Sequence, residues 1–132
     1  QRVFIKASNT QEDDQFGWSV ALAPDAETLA VGARSEASNA IGVDGSQVDD
    51  GGPVGAVYVF QGAGVNWAQR AYVKASNAGG QDEFGHVVAL SNNAETLVVG
   101  APGEDGDTVG VGAVLSEQAG NLTPNSGAVY AY

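Results

Sequence analysis

A duplication constrains this chain more than any other feature. Phe16-Gly17-Trp18-Ser19-Val20-Ala21-Leu22, followed by Thr28-Leu29-Ala30-Val31-Gly32-Ala33, returns 68 positions later as Phe84-Gly85-His86-Val87-Val88-Ala89-Leu90 and Thr96-Leu97-Val98-Val99-Gly100-Ala101. Residues 1–34 align with 69–102 without a gap, and 19 of the 34 positions are identical, too many for chance. Each copy ends on a third apolar run, Gly55-Ala56-Val57-Tyr58-Val59-Phe60 or Gly127-Ala128-Val129-Tyr130-Ala131-Tyr132. A repeat of this size means one supersecondary unit used twice, each too small to bury a core without neighbours. The units are expected at 1–68 and 69–132.

The apolar runs are short, rich in β-branched residues and broken by glycine, so they read as strands and leave no helix signal. The expected elements in the first copy are a strand over 1–8, a second over Phe16–Ala23 and a tight connection at Pro24-Asp25-Ala26-Glu27. Thr28–Ala33 returns. A third strand covers Gly55–Gln61, a turn sits at Gly62-Ala63-Gly64, and a fourth strand covers Trp67–Ser76. Residues 34–54 and 102–126 are long loops, the second longer by four residues. They diverge while the strands agree, so the strands carry the fold and the loops are free to specialise. The inner strands are small or apolar on both faces, which predicts sheets covered on both sides. Four strands per period with sheet stacked on sheet is the logic of a β-propeller blade. The predicted fold is all-β, with two four-stranded antiparallel blades. The blades are circularly shifted, so that the N-terminal strand completes a neighbouring blade.

Phe-Gly-x-Ser-Val-Ala, then Leu-Ala-Val-Gly-Ala, then Gly-Ala-Val-Tyr-Val-Phe resembles the FG-GAP repeat, the blade unit of integrin α-like propellers. The residues carrying the resemblance are Phe16, Gly17, Val20, Leu29, Val31, Gly32, Ala33 and 55–60. In the second copy they are Phe84, Gly85, Val88, Leu97, Val99, Gly100, Ala101, Pro102 and 127–130. Gly100-Ala101-Pro102 matches the family's Gly-Ala-Pro, whereas Gly32-Ala33-Arg34 departs from it. The Lys-Ala-Ser-Asn lead-in is similar to bacterial or archaeal surface-protein versions of the repeat. The resemblance implies an extracellular or cell-surface propeller used in adhesion or recognition, and not an enzyme. It does not bring the family's calcium site. The connection at Pro24–Glu27 or Asn92–Glu95 is too short and has too few carboxylates for six to eight oxygen ligands.

The net charge of −11 argues against binding to nucleic acid phosphates or anionic membranes, which need clustered Lys and Arg. No apolar run approaches a membrane span. There is no cysteine, hence no disulfide or thiol chemistry. There is also no methionine, and a chain opening on Gln1 is expected to be a processed piece or an excerpt. The loop carboxylates Asp44, Asp49, Asp50, Glu104, Asp105 and Asp107 read first as a solvated acidic surface. A weak Ca²⁺ site is the rival, since hard oxygens on Gly-rich backbone suit that ion, but their spacing matches no full calcium loop. No cofactor is required. Glu12-Asp13-Asp14 and Asp82-Glu83 precede each Phe-Gly and are expected to orient the turn through backbone N–H groups.

His86, the single histidine, stands where the first copy has Trp18. Without a second His or a Cys it makes no zinc site, so a structural or surface role is expected. Trp18, Tyr58, Phe60, Trp67 and Tyr72 sit at strand spacing, as blade core rather than as a sugar- or peptide-binding platform. Asn121-Leu122-Thr123 is a glycosylation sequon that would place a glycan on the second loop. Three roles follow from these readings. The first is a recognition or adhesion module that binds a protein or glycan through loops 34–54 and 102–126. The second is a structural subunit that assembles with copies of itself by strand completion through residues 1–8, into a ring or a filament. The third is a substrate-binding propeller attached to an enzyme elsewhere in a longer chain.

Overall fold

A computed structural model describes residues 2–48, 50–106, 110–111 and 123–132. Seven strands form two antiparallel sheets. The first is β1 (Phe16–Leu22), β2 (Thr28–Ala33), β3 (Ala56–Ala63) and β4 (Asn66–Val73), in that spatial order. The second is β5 (Val87–Leu90), β6 (Leu97–Ala101) and β7 (Ala128–Ala131). Each sheet is thus a meander in which consecutive strands pair. There is no helix among the described residues.

The two tight hairpins share one construction. Asp25 accepts from the N–H of Glu27 (2.9 Å), and Ala26 sits in the left-handed region at φ 58°. Asn93 and Ala94, at φ 57°, repeat the arrangement. In the first sheet, Phe16 pairs with Ala33 and Ser19 with Gly32, so a bulge at Gly17-Trp18 separates them. The bulge leaves Phe16 on the face of Tyr58 and Phe60, which it meets edge-on at 5.4 and 6.1 Å. It also sends Trp18 towards the second sheet, where its ring lies 5.7 Å from that of His86.

The sheets pack face to face around Ala30, Val57, Val73, Phe84, Val88, Leu97, Val99 and Tyr130. Phe84 is the plug, fully buried and edge-on to Tyr130 at 5.4 Å. Its N–H donates to the carbonyl of Val54 (3.0 Å), and it forms a parallel bridge with Gly55. Glycine is needed on both sides of this contact. A Cβ at Gly55 would run into the Phe84 backbone, and one at Gly32 into the Gly85 carbonyl oxygen. Gly85, at φ 89°, lies against the Ala56 carbonyl. The Phe-Gly of one unit therefore seats on the Gly-Ala of the unit before it.

Three sequence expectations change. Residues 2–8 are not a strand: a ladder needs a partner strand, and none pairs with them among the described residues. Ile5 and Ala7 instead pack against the cluster of Val31, Tyr58, Phe60 and Tyr72 on the first sheet. The third strand runs on through Ala63, with Gly62 opposite Trp67, so the turn falls at Gly64-Val65 rather than at 62–64. Finally, cover on both faces holds for the inner strands of the first sheet alone, which has the second sheet on one side and Ile5, Ala7 and Ala40 over Val31, Tyr58, Phe60 and Tyr72 on the other, whereas the second sheet is covered on one face. Val20 and Leu22 on the first sheet, and Val87 and Val129 on the second, are exposed on the outer faces.

Candidate functional site: the loop face and its inter-unit cleft

The first long loop is held by its own polar side chains. Glu36 is fully buried and receives the Lys74 ammonium at 2.7 Å, with both side chains at 0% exposure. Asn9 Nδ2 donates to the other carboxylate oxygen (2.8 Å), and Tyr58 donates to Asn9 Oδ1 (2.5 Å). The hydroxyls of Ser38 and Tyr72 share a hydrogen bond of 2.6 Å beside them. Burial pushes the Glu36 carboxyl up, but the Lys74 charge and its hydrogen bond, helped by those from Tyr72 and Asn9, more than offset this and hold it below its ordinary value. Burial drives the Tyr72 hydroxyl well above the ordinary phenol range.

Further along the loop, Asp44 Oδ1 accepts from the N–H of Tyr72 (2.9 Å), and Asp50 Oδ1 from the N–H of Asn39 (3.0 Å). A loop pinned at so many points carries its outward side chains, Ile41, Val43 and Val48, on a fixed frame.

The second loop begins in the same way. Glu104 is buried, accepting from Asn77 Nδ2 (2.7 Å) and from the N–H of Gly106 (2.9 Å), and Tyr130 donates to Asn77 Oδ1 (2.7 Å). Asp105 Oδ1 accepts from the N–H of Asn125 (2.8 Å). Asp49, Asp107 and the sequon residue Asn121 lie outside the described residues. The described carboxylates expected to offer oxygens to Ca²⁺ thus serve backbone N–H groups and the Asn77 side-chain amide. Among the described residues no group of three acidic or histidine side chains is placed to hold a metal ion. Ahead of each Phe-Gly, Asp14 accepts from the N–H of Gln11 (2.8 Å) and Asp82 from that of Gly79 (2.6 Å), as turn-orienting carboxylates. Burial raises both carboxyls above the ordinary aspartate value.

Where the two units meet, the loops share a root. Arg34, Ser35 and Pro53 from the first, and Pro102, Gly103 and Asn125 from the second, line an open polar cleft of about 440 Å³. Gln81 and Glu83 complete its lining. Arg34 organises this seam. Its guanidinium lies 3.6 Å from the centre of the Trp18 ring, pairs with Glu83 (3.0 Å) and donates to Gln15 (2.6 Å). Glu83 in turn meets His86 Nδ1 at 2.9 Å. Here the two copies differ most usefully. Arg34 stands where the second copy has Pro102, Trp18 where it has His86, and Gln15 where it has Glu83. All three differences meet at one seam. The sequence shows each departure, but not that they face one another.

Of the other aromatic residues, Tyr58, Phe60 and Tyr72 are blade core as expected, and Trp67 is half-buried at the edge of the same cluster. Trp18 is 49% exposed beside the cleft.

The family model described as FG-GAP repeat matches residues 1–60 and 67–132, nearly the whole chain in two consecutive hits. Neither the curated proteins nor the solved structures contain a match to the chain. Among the described residues no helix is long and apolar enough to cross a membrane.

Proposed function

Because the chain belongs to the FG-GAP repeat family, whose repeats generally build extracellular adhesion and recognition propellers, we propose that it is a non-enzymatic recognition module acting outside the cell. Its contact surface is the loop face, and its ligand is a protein or a glycan. One observation carries this reading: both variable loops spring from the rim of a single polar cleft, so a ligand lying across it touches both. The first loop is internally pinned, and little conformational freedom is lost when a partner docks on it. Ile41, Val43 and Val48 supply apolar contact, while Arg34 and Asn125 supply donors at the root.

The test is binding to a panel of immobilised glycans and extracellular-matrix proteins. The wild-type chain is compared with Ile41→Asp/Val43→Asp and with Arg34→Ala, circular dichroism confirming that each is folded. Loss of binding in the loop and cleft variants supports the reading. Binding that survives all of them, or no binding to either ligand class, overturns it.

A further inference from the structure

The buried network under the first loop brings together the parts of a condensation as well as an ion pair. Asn9, ahead of β1, and Lys74, directly after β4, both reach Glu36. The Lys74 ammonium donates to Oε2 at 2.7 Å and the Asn9 side-chain amide to Oε1 at 2.8 Å, so one carboxylate holds both nitrogens. Lys74 and Glu36 are fully buried and Asn9 is half-buried. Bulk water therefore does not solvate the amine. Its main chain is fixed as well, the Lys74 N–H donating to the Gly42 carbonyl at 2.8 Å.

The Asn9 amide is held as an acyl donor has to be. Its Nδ2 also donates to the Gln47 carbonyl (3.2 Å), and its Oδ1 accepts from the Tyr58 hydroxyl (2.5 Å). These partners fix which end of the amide is oxygen and which is nitrogen. The Tyr58 bond lies where negative charge develops when a nucleophile adds to the side-chain carbonyl carbon. Glu36, on the nitrogen side, stands where a departing amine needs a proton. The chain has no cysteine, so a disulfide cross-link is not open to it.

We infer that Lys74 and Asn9 condense into an amide cross-link, with Glu36 as the catalytic acid and base. Lys74 passes a proton to Glu36; burial opposes charge on both groups and so lowers the cost of that transfer. The neutral Nζ adds to Asn9 Cγ, and the new C–N bond forms while Oδ1 takes up negative charge under the Tyr58 hydroxyl. Glu36 gives its proton to Nδ2 and takes one from Nζ. The Cγ–Nδ2 bond then breaks and ammonia leaves. Glu36 remains as a neutral acid beside the new amide, so the core no longer holds an ion pair. No oxidant or cofactor enters the balance. The linkage encloses β1 to β4, so the first sheet keeps a closed loop even when unfolded. The ion pair and its pH dependence are those of the chain before the linkage closes. Recognition by the loops stands or falls independently of it.

The test is mass spectrometry of the whole folded chain and of its tryptic digest. The folded wild type is expected to be lighter by one ammonia than its sequence requires. Other amides also shed ammonia, so the deciding product is a branched peptide. In it, residues 7–34 are joined through Asn9 to Lys74 of residues 71–132, which trypsin leaves uncut after Lys74 because the amine is acylated. Lys74→Arg keeps a cation for Glu36 without a nucleophilic amine, and Asn9→Ala removes the acyl carbon. Both are expected to give linear peptides only, with circular dichroism confirming fold. Linear peptides alone from the folded wild type overturn the inference, and so does a branch that survives in Asn9→Ala.

Discussion

Lys74 and Glu36 are the residues on which the first unit most depends. Both are fully buried, so removing one charge strands the other. Lys74→Met is expected to cost about 3–5 kcal/mol, read from urea unfolding. The pH dependence has a definite sign. Glu36 is held below its ordinary value of 4.5, so its contribution is complete above that value and is lost as pH falls through the lower folded one. Asp14 and Asp82 act the other way. Burial raises their carboxyls above 3.8, so they favour the fold below that value and lose the contribution as pH rises through the raised one. The stability gap between wild type and Glu36→Gln should therefore be wide at neutral pH and shrink towards pH 3, as thermal melts at both pH values would show. In the sequence, Glu36 looks like any acid in a Gly-, Ser- and Asp-rich loop. The available signal was that Glu36 and Glu104 keep the 68-residue spacing inside loops that otherwise diverge. Ala26 gives a second residue-scale test. It is exposed at φ 58°, where a side chain is strained, so Ala26→Gly should stabilise the chain by roughly 0.5–1 kcal/mol.

The strand pairs were legible because their physics is local. Period-two alternation marks β1 and β2, and the short polar connections mark the hairpins. What spacing does not record is the bulge at Gly17-Trp18. That bulge breaks the alternation of β1, keeping Phe16 in its own sheet's core and turning Trp18 to the seam. The N-terminal segment alternates as a strand would, with Val3 and Ile5 on one side and Phe4 on the other, but a ladder belongs to two strands and not to one sequence. Glycine at Gly32 is an element-level requirement, since a Cβ there would enter the Gly85 backbone and push the sheets apart. Gly32→Val should cost upwards of about 2 kcal/mol and weaken the near-ultraviolet dichroism of the packed aromatics. Gly52→Ala, where an added Cβ meets nothing, serves as the neutral control in the same denaturation series.

Across the whole molecule, one sheet-on-sheet interface is finished and the outer face of the second sheet is left open. The seam beside that interface gathers Arg34, Trp18, Glu83 and His86, four residues scattered across both repeats that no periodicity links. Arg34 and Glu83 are partly exposed, so their pairing adds at most about 1 kcal/mol and shapes the cleft more than it holds the fold. Arg34→Ala is accordingly expected to leave the melting temperature nearly unchanged while altering the cleft wall. Chelator is expected to leave the melt unaltered, since the described loop carboxylates already answer backbone donors and Lys74; a clear fall in melting temperature on chelation would refute that.

The covalent repeat and the folded unit are out of step. The strand that closes the first sheet, and the ammonium that neutralises its buried carboxylate, arrive with Gln69–Lys74, the opening residues of the second repeat. A nascent chain stopped at residue 68 would bury Glu36 with no counter-charge and leave β3 an open edge for most of its length. The last strand of the first unit and the counter-charge for its buried carboxylate are therefore supplied only once the opening of its successor has been translated.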